Sequence, residues 1–83
     1  MGTIIHDNDM MQYKKLKLIG DLAPIREHLK LFENKHGMPF EEFEQQLKTV
    51  AEDFEKWDDY IEWKAYSEKM VELKKELHLI ENA

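Results

Sequence analysis

Apolar residues recur at helical spacing along most of this chain. Between Gly20 and Gly37 they follow one another at steps of three and four residues, the spacing of one face of an amphipathic helix. The members of this stripe are Leu22, Ile25, Leu29 and Phe32. Asp21 is a suitable N-cap, Pro24 is tolerated in a first turn, and Gly37 is a strong helix stop. The pattern therefore predicts a first helix over residues 22–36.

The segment before this helix has a weaker pattern. Residues 1–12 lack periodicity, and we expect them to form a flexible tail or a short arm. Apolar and polar residues partly alternate over residues 13–19, which favours either a short strand or a helical turn that leads into the first helix.

Two further apolar stripes fill the region after Pro39, which contains no other Gly or Pro. The first stripe is Phe40, Phe43, Leu47, Val50, Phe54, Trp57 and Ile61, and the second is Trp63, Tyr66, Met70, Leu73, Leu77 and Ile80. On a straight helix their centres would lie about 140° apart. Either the helix breaks near residues 56–60, where Asp58 and Asp59 are suitable caps, or one long helix turns its second stripe toward another molecule. We favour the break, with helices over 39–57 and 59–81.

Composition and charge narrow the class of protein. The chain has 83 residues, no cysteine and a formal net charge of −6, so disulfides and thiolate metal sites are excluded. No apolar run approaches the roughly 18 residues that span a bilayer, and residues 1–9 do not resemble a secretory signal. We expect a single all-α domain over residues 1–83, located in the cytoplasm, without membrane contact.

Acidic residues are concentrated in the middle of the chain. Nine Asp and Glu stand against two Lys between residues 41 and 62. This acidic segment would repel phosphate, so we expect no direct nucleic-acid binding. The acids form either a solvated helix face or a surface that steers the chain toward a basic partner.

Metal and catalytic motifs are weak. His28 and His36 are too far apart to form an i, i+4 ligand pair, and the motif from Glu33 to His36 has no second copy of the kind that di-iron helical bundles require. There is no glycine-rich phosphate loop, and Ser67 is the only serine. We therefore expect no metal, no cofactor, no small-molecule substrate and no enzymatic activity.

The aromatic residues suggest where a partner binds. Trp57, Tyr60, Trp63 and Tyr66 occur at every third position, a spacing that drifts around a helix by about 60° at each step. They therefore either wrap a bend or form a protein-binding hot spot with an acidic rim. The predicted partner-binding residues are Trp57, Asp58, Asp59, Tyr60, Glu62, Trp63, Tyr66 and Met70.

Several segments together resemble the small helical antitoxin-like proteins encoded beside toxins in prokaryotic toxin–antitoxin pairs. They are Ile19-Gly20-Asp21-Leu22, Leu29-Lys30-Leu31-Phe32-Glu33, His36-Gly37-Met38, Phe40-Glu41-Glu42-Phe43 and Asp58-Asp59-Tyr60-Ile61-Glu62-Trp63-Lys64-Ala65-Tyr66. The resemblance spans about residues 18–80. It implies a protein that neutralises a basic, ribonuclease-type toxin by masking its surface, with no catalytic residues and no recognisable DNA-binding segment. The alternative is a structural homo-oligomer whose second stripe closes a helical bundle with no foreign partner.

Overall fold

The computed structural model describes residues 7–49 and 53–82, which form three α-helices joined by two short connections. The helices are α1 (Asp7–His36), α2 (Phe40–Leu47) and α3 (Phe54–Glu81). The long helices α1 and α3 pack side by side in opposite directions. Helix α2 lies against the end of this pair where α1 finishes and α3 begins. The molecule is a rod of 64 × 21 × 17 Å. The predicted all-α fold is confirmed.

Helix α1 begins at Asp7, far earlier than the predicted start at residue 22. Asp21 is therefore not an N-cap, and Pro24 lies inside the helix. The core-facing stripe explains the difference, because Met11 and Lys15 are half-buried and extend it toward the N-terminus at helical spacing.

The expectations for the first part of the chain are corrected accordingly. Residues 7–12 are helical and do not form a tail, and residues 13–19 are helical and do not form a strand. Residues 1–6 lie outside the described residues, so the flexible tail or short arm expected there stays a prediction.

The end of α1 matches its prediction. Gly37 has a φ of 67°, the left-handed conformation that closes a helix most easily without a Cβ, and its N–H donates to the Glu33 carbonyl at 2.7 Å. Pro39, in an extended conformation, then precedes α2.

Helix α2 ends at Leu47 and α3 begins at Phe54, so the chain leaves the helix before the predicted break at residues 56–60. At the end of α2 the Thr49 hydroxyl donates to the Gln46 carbonyl at 2.7 Å. At the start of α3 the Asp53 carboxylate accepts from the Lys56 N–H at 3.1 Å, so the N-cap is Asp53. The predicted caps, Asp58 and Asp59, lie inside α3.

The break separates the members of the first apolar stripe. Phe43 and Leu47 on α2 are buried, whereas Phe54, Trp57 and Ile61 on α3 point outward. Val50 lies outside the described residues. The second stripe packs within the chain, with Trp63 in the contact of all three helices and the rest of the stripe against α1.

The core consists of two clusters. The aromatic cluster lies where all three helices meet, and the aliphatic cluster lies between α1 and α3. The buried members of the aromatic cluster are Phe43, Leu47 and Trp63, with Phe32, Met38, Phe40 and Tyr60 packed around them. The buried members of the aliphatic cluster are Leu18, Leu22, Ile25 and Leu73. Leu29 contacts both clusters.

Candidate functional site

Trp63 is the centre of the aromatic cluster. Its side chain is 1% exposed, which makes it one of the most buried residues described. Four ring centroids lie 5.2–5.8 Å from that of its indole: those of Phe32, His36, Phe40 and Phe43. Trp63 therefore joins the three helices from within, and in this fold its indole, predicted to contact a partner, is buried.

Asp59 is also buried and forms a polar link between α1 and α3. It is 8% exposed and accepts a hydrogen bond from His36 Nε2 at 2.8 Å. Lys35 Nζ lies 2.7 Å from the same carboxylate oxygen and 3.2 Å from Glu55 Oε1. Asp59, predicted as part of an acidic rim, is thus held in an internal ion pair with Lys35 in this fold.

The electrostatics of this link follow from its geometry. Burial alone would raise the pKa of Asp59, but the hydrogen bonds from Lys35 and His36 outweigh burial and hold that pKa below its ordinary value. The hydrogen bond to Asp59, followed by the one to Glu55, raises the pKa of Lys35. Both shifts favour the charged forms, so the link is an ion pair at neutral pH.

Tyr60 connects α3 to α2. Its hydroxyl donates to Glu44 Oε2 at 2.7 Å, and its ring stacks on that of Phe40 at 5.6 Å. The hydrogen bond to Glu44 raises the pKa of Tyr60, because an ionised phenol would face a carboxylate. Trp57 packs edge-on against the Tyr60 ring at 5.7 Å. Tyr60 is half-buried and positions α2 while one side of it remains accessible.

Tyr66 and Met70 belong to the contact between the long helices. Both are partly buried against the aliphatic cluster. The Tyr66 ring stacks on the His28 imidazole, with centroids 4.3 Å apart and planes 8° apart. These two predicted site residues therefore hold α3 on α1 in this fold.

Three predicted site residues remain on the surface: Trp57, Asp58 and Glu62. Two members of the first apolar stripe join them, since Phe54 is 81% exposed and Ile61 is 63% exposed. Phe54, Trp57 and Ile61 follow one another at steps of three and four residues and so share the outer face of α3. We call these three residues the α3 patch.

A groove lies next to the α3 patch, between α2 and α3. It has a volume of about 290 Å³ and is lined by Glu44, Leu47, Lys48, Trp57 and Tyr60. Trp57 therefore belongs both to the exposed patch and to the wall of the groove.

Sequence reasoning missed the exposure of Phe54 and Ile61 because their spacing continues the stripe of α2. The signal that could have separated them is Asp53, a good N-cap directly before Phe54. A helix that begins again at this point need not keep the earlier stripe in the core.

Two other kinds of site receive no support in the part of the chain that the structure describes. No group of three or more His, Asp or Glu side chains there could hold a metal ion. None of the three helices combines the length and the apolar character that crossing a membrane requires.

The fold and the patch define a class: an all-α helical hairpin with a small third helix and an exposed apolar surface. Over its whole length, residues 1–83, the chain matches the uncharacterized protein MJ0235 family, and it belongs to that family. No curated protein and no solved structure matches the chain.

Proposed function

We propose that this chain is a protein-binding module whose contact surface is the α3 patch. The observation that carries the proposal is the exposure of Phe54, Trp57 and Ile61 on one helix face, at 81%, 39% and 63%. Neighbouring aromatic and aliphatic side chains left in water are a common mark of a protein interface.

The chemistry around the patch supports a particular arrangement. Trp57 is the natural anchor, because tryptophan is enriched among the residues that contribute most to binding and its ring is already held by Tyr60. Phe54 and Ile61 lie on either side of it along the helix. Asp58 and Glu62 are exposed on the same helix and form an acidic rim.

The acidic rim favours a basic partner. Glu55 and Asp59 are matched within the chain by Lys35, whereas Asp58 and Glu62 take part in no ion pair among the described residues. Unmatched rim charges raise association rates with an oppositely charged surface.

A ribonuclease-type toxin is the partner that the resemblance to antitoxin-like proteins suggests. Such an enzyme needs a basic surface to hold its RNA. In this proposal the rim acids occupy that surface while the α3 patch fills an adjacent apolar pocket.

The test uses the tagged full chain and two matched variants to capture partners from the source organism. Ile61→Asp places a charge in the α3 patch. Val71→Asp makes a similar change on the same helix at a β-branched residue that is 54% exposed and lies outside the patch. The captured protein is then purified and its Kd is measured with each of the three chains.

We expect a basic protein in stoichiometric yield, bound at least 30-fold more weakly by Ile61→Asp, as for a hot-spot residue. Val71→Asp should bind as the unmodified chain does. Ribonuclease activity in the partner, blocked by the chain, would establish the toxin. Equal loss in both variants, or retention in both, would contradict the α3 patch. The absence of any stoichiometric foreign protein would contradict the proposed function.

A further inference from the structure

Helix α1 carries a second regular row of residues on the side opposite its core-facing stripe. The row steps by four and three residues in alternation, the spacing of a helix–helix seam. Its members are Tyr13, Lys17, Gly20, Pro24, Glu27 and Leu31, and all six are exposed. On a helical projection at 100° per residue, the centre of the row lies about 150° from the centre of Leu18, Leu22 and Ile25. We call it the α1 outer seam.

The middle of the α1 outer seam contains the two residues least suited to a helix interior. Gly20 has a helical backbone, and a Cβ built on it would meet nothing within 4 Å, so neither its conformation nor packing within the chain requires glycine. Pro24 has no N–H to donate to the Gly20 carbonyl four residues earlier. Small side chains at a helix surface do allow a second helix backbone to approach closely.

The residues of the seam form three pairs, and the two members of each pair lie at equal distances on either side of position 22. Tyr13 and Leu31 are the large apolar ends, at 69% and 63% exposure. Inside them, Lys17 is balanced by Glu27 at the same distance from the centre, and Gly20 is balanced by Pro24. A second helix laid antiparallel over this one would therefore place apolar against apolar, cation against anion, and small residue against small residue.

From this symmetry we infer that two copies of the chain associate through the α1 outer seam as an antiparallel dimer. A two-fold interface must be self-complementary, with residue i on one copy meeting residue j on the other and the reverse. In this dimer Lys17 of each copy faces Glu27 of the other, and the helices cross closely at Gly20 and Pro24. The contact extends over about 27 Å of helix between Tyr13 and Leu31.

The dimer differs from the homo-oligomer suggested by the sequence alone, which used the second stripe of α3. That stripe packs within the chain. The α3 patch is on the other long helix, so a dimer joined through α1 leaves both patches accessible.

The first test is charge inversion, read out by sedimentation equilibrium of the full chain over a range of concentrations. We expect the unmodified chain to reach twice its 10.0 kDa mass. Lys17→Glu and Glu27→Lys should each raise the dimer Kd about tenfold, because each creates two like-charge contacts. The double variant should restore association. The matched control exchanges Lys69 and Glu72, an exposed pair on α3 at 3.6 Å, and should leave association unchanged.

The second test separates helix stability from association. Gly20→Gln introduces a better helix former with a long side chain, so helicity by circular dichroism should rise while the dimer is lost. If Gly20 acted only within a single chain, the substitution would raise helicity and leave association unchanged.

The third test determines the register. Because the chain contains no cysteine, a single Ala23→Cys variant places one thiol next to the proposed two-fold axis. It should form a disulfide-linked dimer on mild oxidation much faster than Glu72→Cys, a control on α3.

Each outcome bears on the inference. A dimer that dissociates on single charge inversion, recovers in the double variant and cross-links through residue 23 would establish the α1 outer seam. A monomer at all concentrations would overturn it. So would a dimer that tolerates both Lys17→Glu and Gly20→Gln, since it would use another surface.

Discussion

At the end of the hairpin where α1 finishes and α3 begins, α2 covers the joint and aromatic side chains from all three helices surround Trp63. At the opposite end, the described residues provide only α1 and α3, and the buried side chains between them are aliphatic. At the two-helix end, the ion pair between the described parts of the long helices is Lys15–Glu81, which is exposed at 3.6 Å. At the three-helix end, Lys35 contacts both Glu55 and the buried Asp59, at 3.2 and 2.7 Å. We conclude that most stability resides at the three-helix end.

The substitution with the largest expected effect on stability lies at the three-helix end. Trp63→Ala should lower the free energy of unfolding by about 3–5 kcal/mol, the usual cost of truncating a buried tryptophan. This loss is comparable to the whole stability of many domains of this size, so we expect the variant to be largely unfolded.

Urea denaturation followed by circular dichroism measures the effect, with Trp57→Ala as the control on the same helix. The control should cost less, about 1–2 kcal/mol, because Trp57 is 39% exposed and packs edge-on against the Tyr60 ring. Equal effects of the two substitutions would contradict the proposed division between core and surface.

Leu73→Ala probes the two-helix end. Leu73 is 5% exposed, but one side of its cluster has no third helix among the described residues, so the site can collapse on truncation. We expect a cost near the low end of the range for a buried leucine, about 2 kcal/mol. The same denaturation experiment measures it. A cost larger than that of Trp63→Ala would reverse the ranking of the two ends.

Asp59→Asn tests the polar link at the three-helix end. Loss of the charged hydrogen bonds to Lys35 and His36 should cost about 1–2 kcal/mol at neutral pH. Because the folded pKa of Asp59 lies below the unfolded one, its contribution is complete above an ordinary carboxyl pKa of about 4 and is lost as pH falls through the folded value.

Stability measured against pH should therefore fall less steeply on acidification in the Asp59→Asn variant than in the unmodified chain. The neighbouring Asp58→Asn variant makes the same change at an exposed carboxylate and should keep the original slope. Identical pH profiles for Asp59→Asn and the unmodified chain would show that the link does not stabilise this end.

The smallest expected effect concerns the turn that begins the three-helix end. Gly37→Ala should cost about 1 kcal/mol, because a Cβ is strained at a φ of 67°. The same change at Gly20, in a regular helix with open space around it, should instead stabilise the chain at concentrations too low for association. If both substitutions changed the free energy of unfolding in the same direction, the backbone conformations assigned to Gly37 and Gly20 would be contradicted.

Much of the fold could be predicted because it depends on local signals. The apolar stripe from Leu22 to Phe32 and the glycine stop at residue 37 act within a few residues, and the structure contains both. The start of α1 could not be predicted in this way. The cost of Gly20 and Pro24 argues for a boundary there, and only packing against α3 offsets that cost.

The candidate site was only partly predictable for a related reason. Trp63 belongs to the row of aromatic residues at every third position, which predicted a partner-binding anchor, while Phe54 and Ile61 simply continue the first apolar stripe. Which side of α3 faces inward depends on where α3 begins and on how α2 folds over it. Those are properties of the three helices together, whereas a stripe reports only on one helix.

The claim that Trp57 is the surface tryptophan and Trp63 the buried one can be tested most directly by fluorescence quenching. Trp63→Phe and Trp57→Phe each leave one tryptophan in the full chain, and acrylamide, being neutral, is not repelled by the acidic rim. We predict red-shifted emission and strong quenching when Trp57 remains, and blue-shifted, protected emission when Trp63 remains. Equal quenching of the two chains, or stronger quenching of Trp63, would contradict both the fold and the α3 patch.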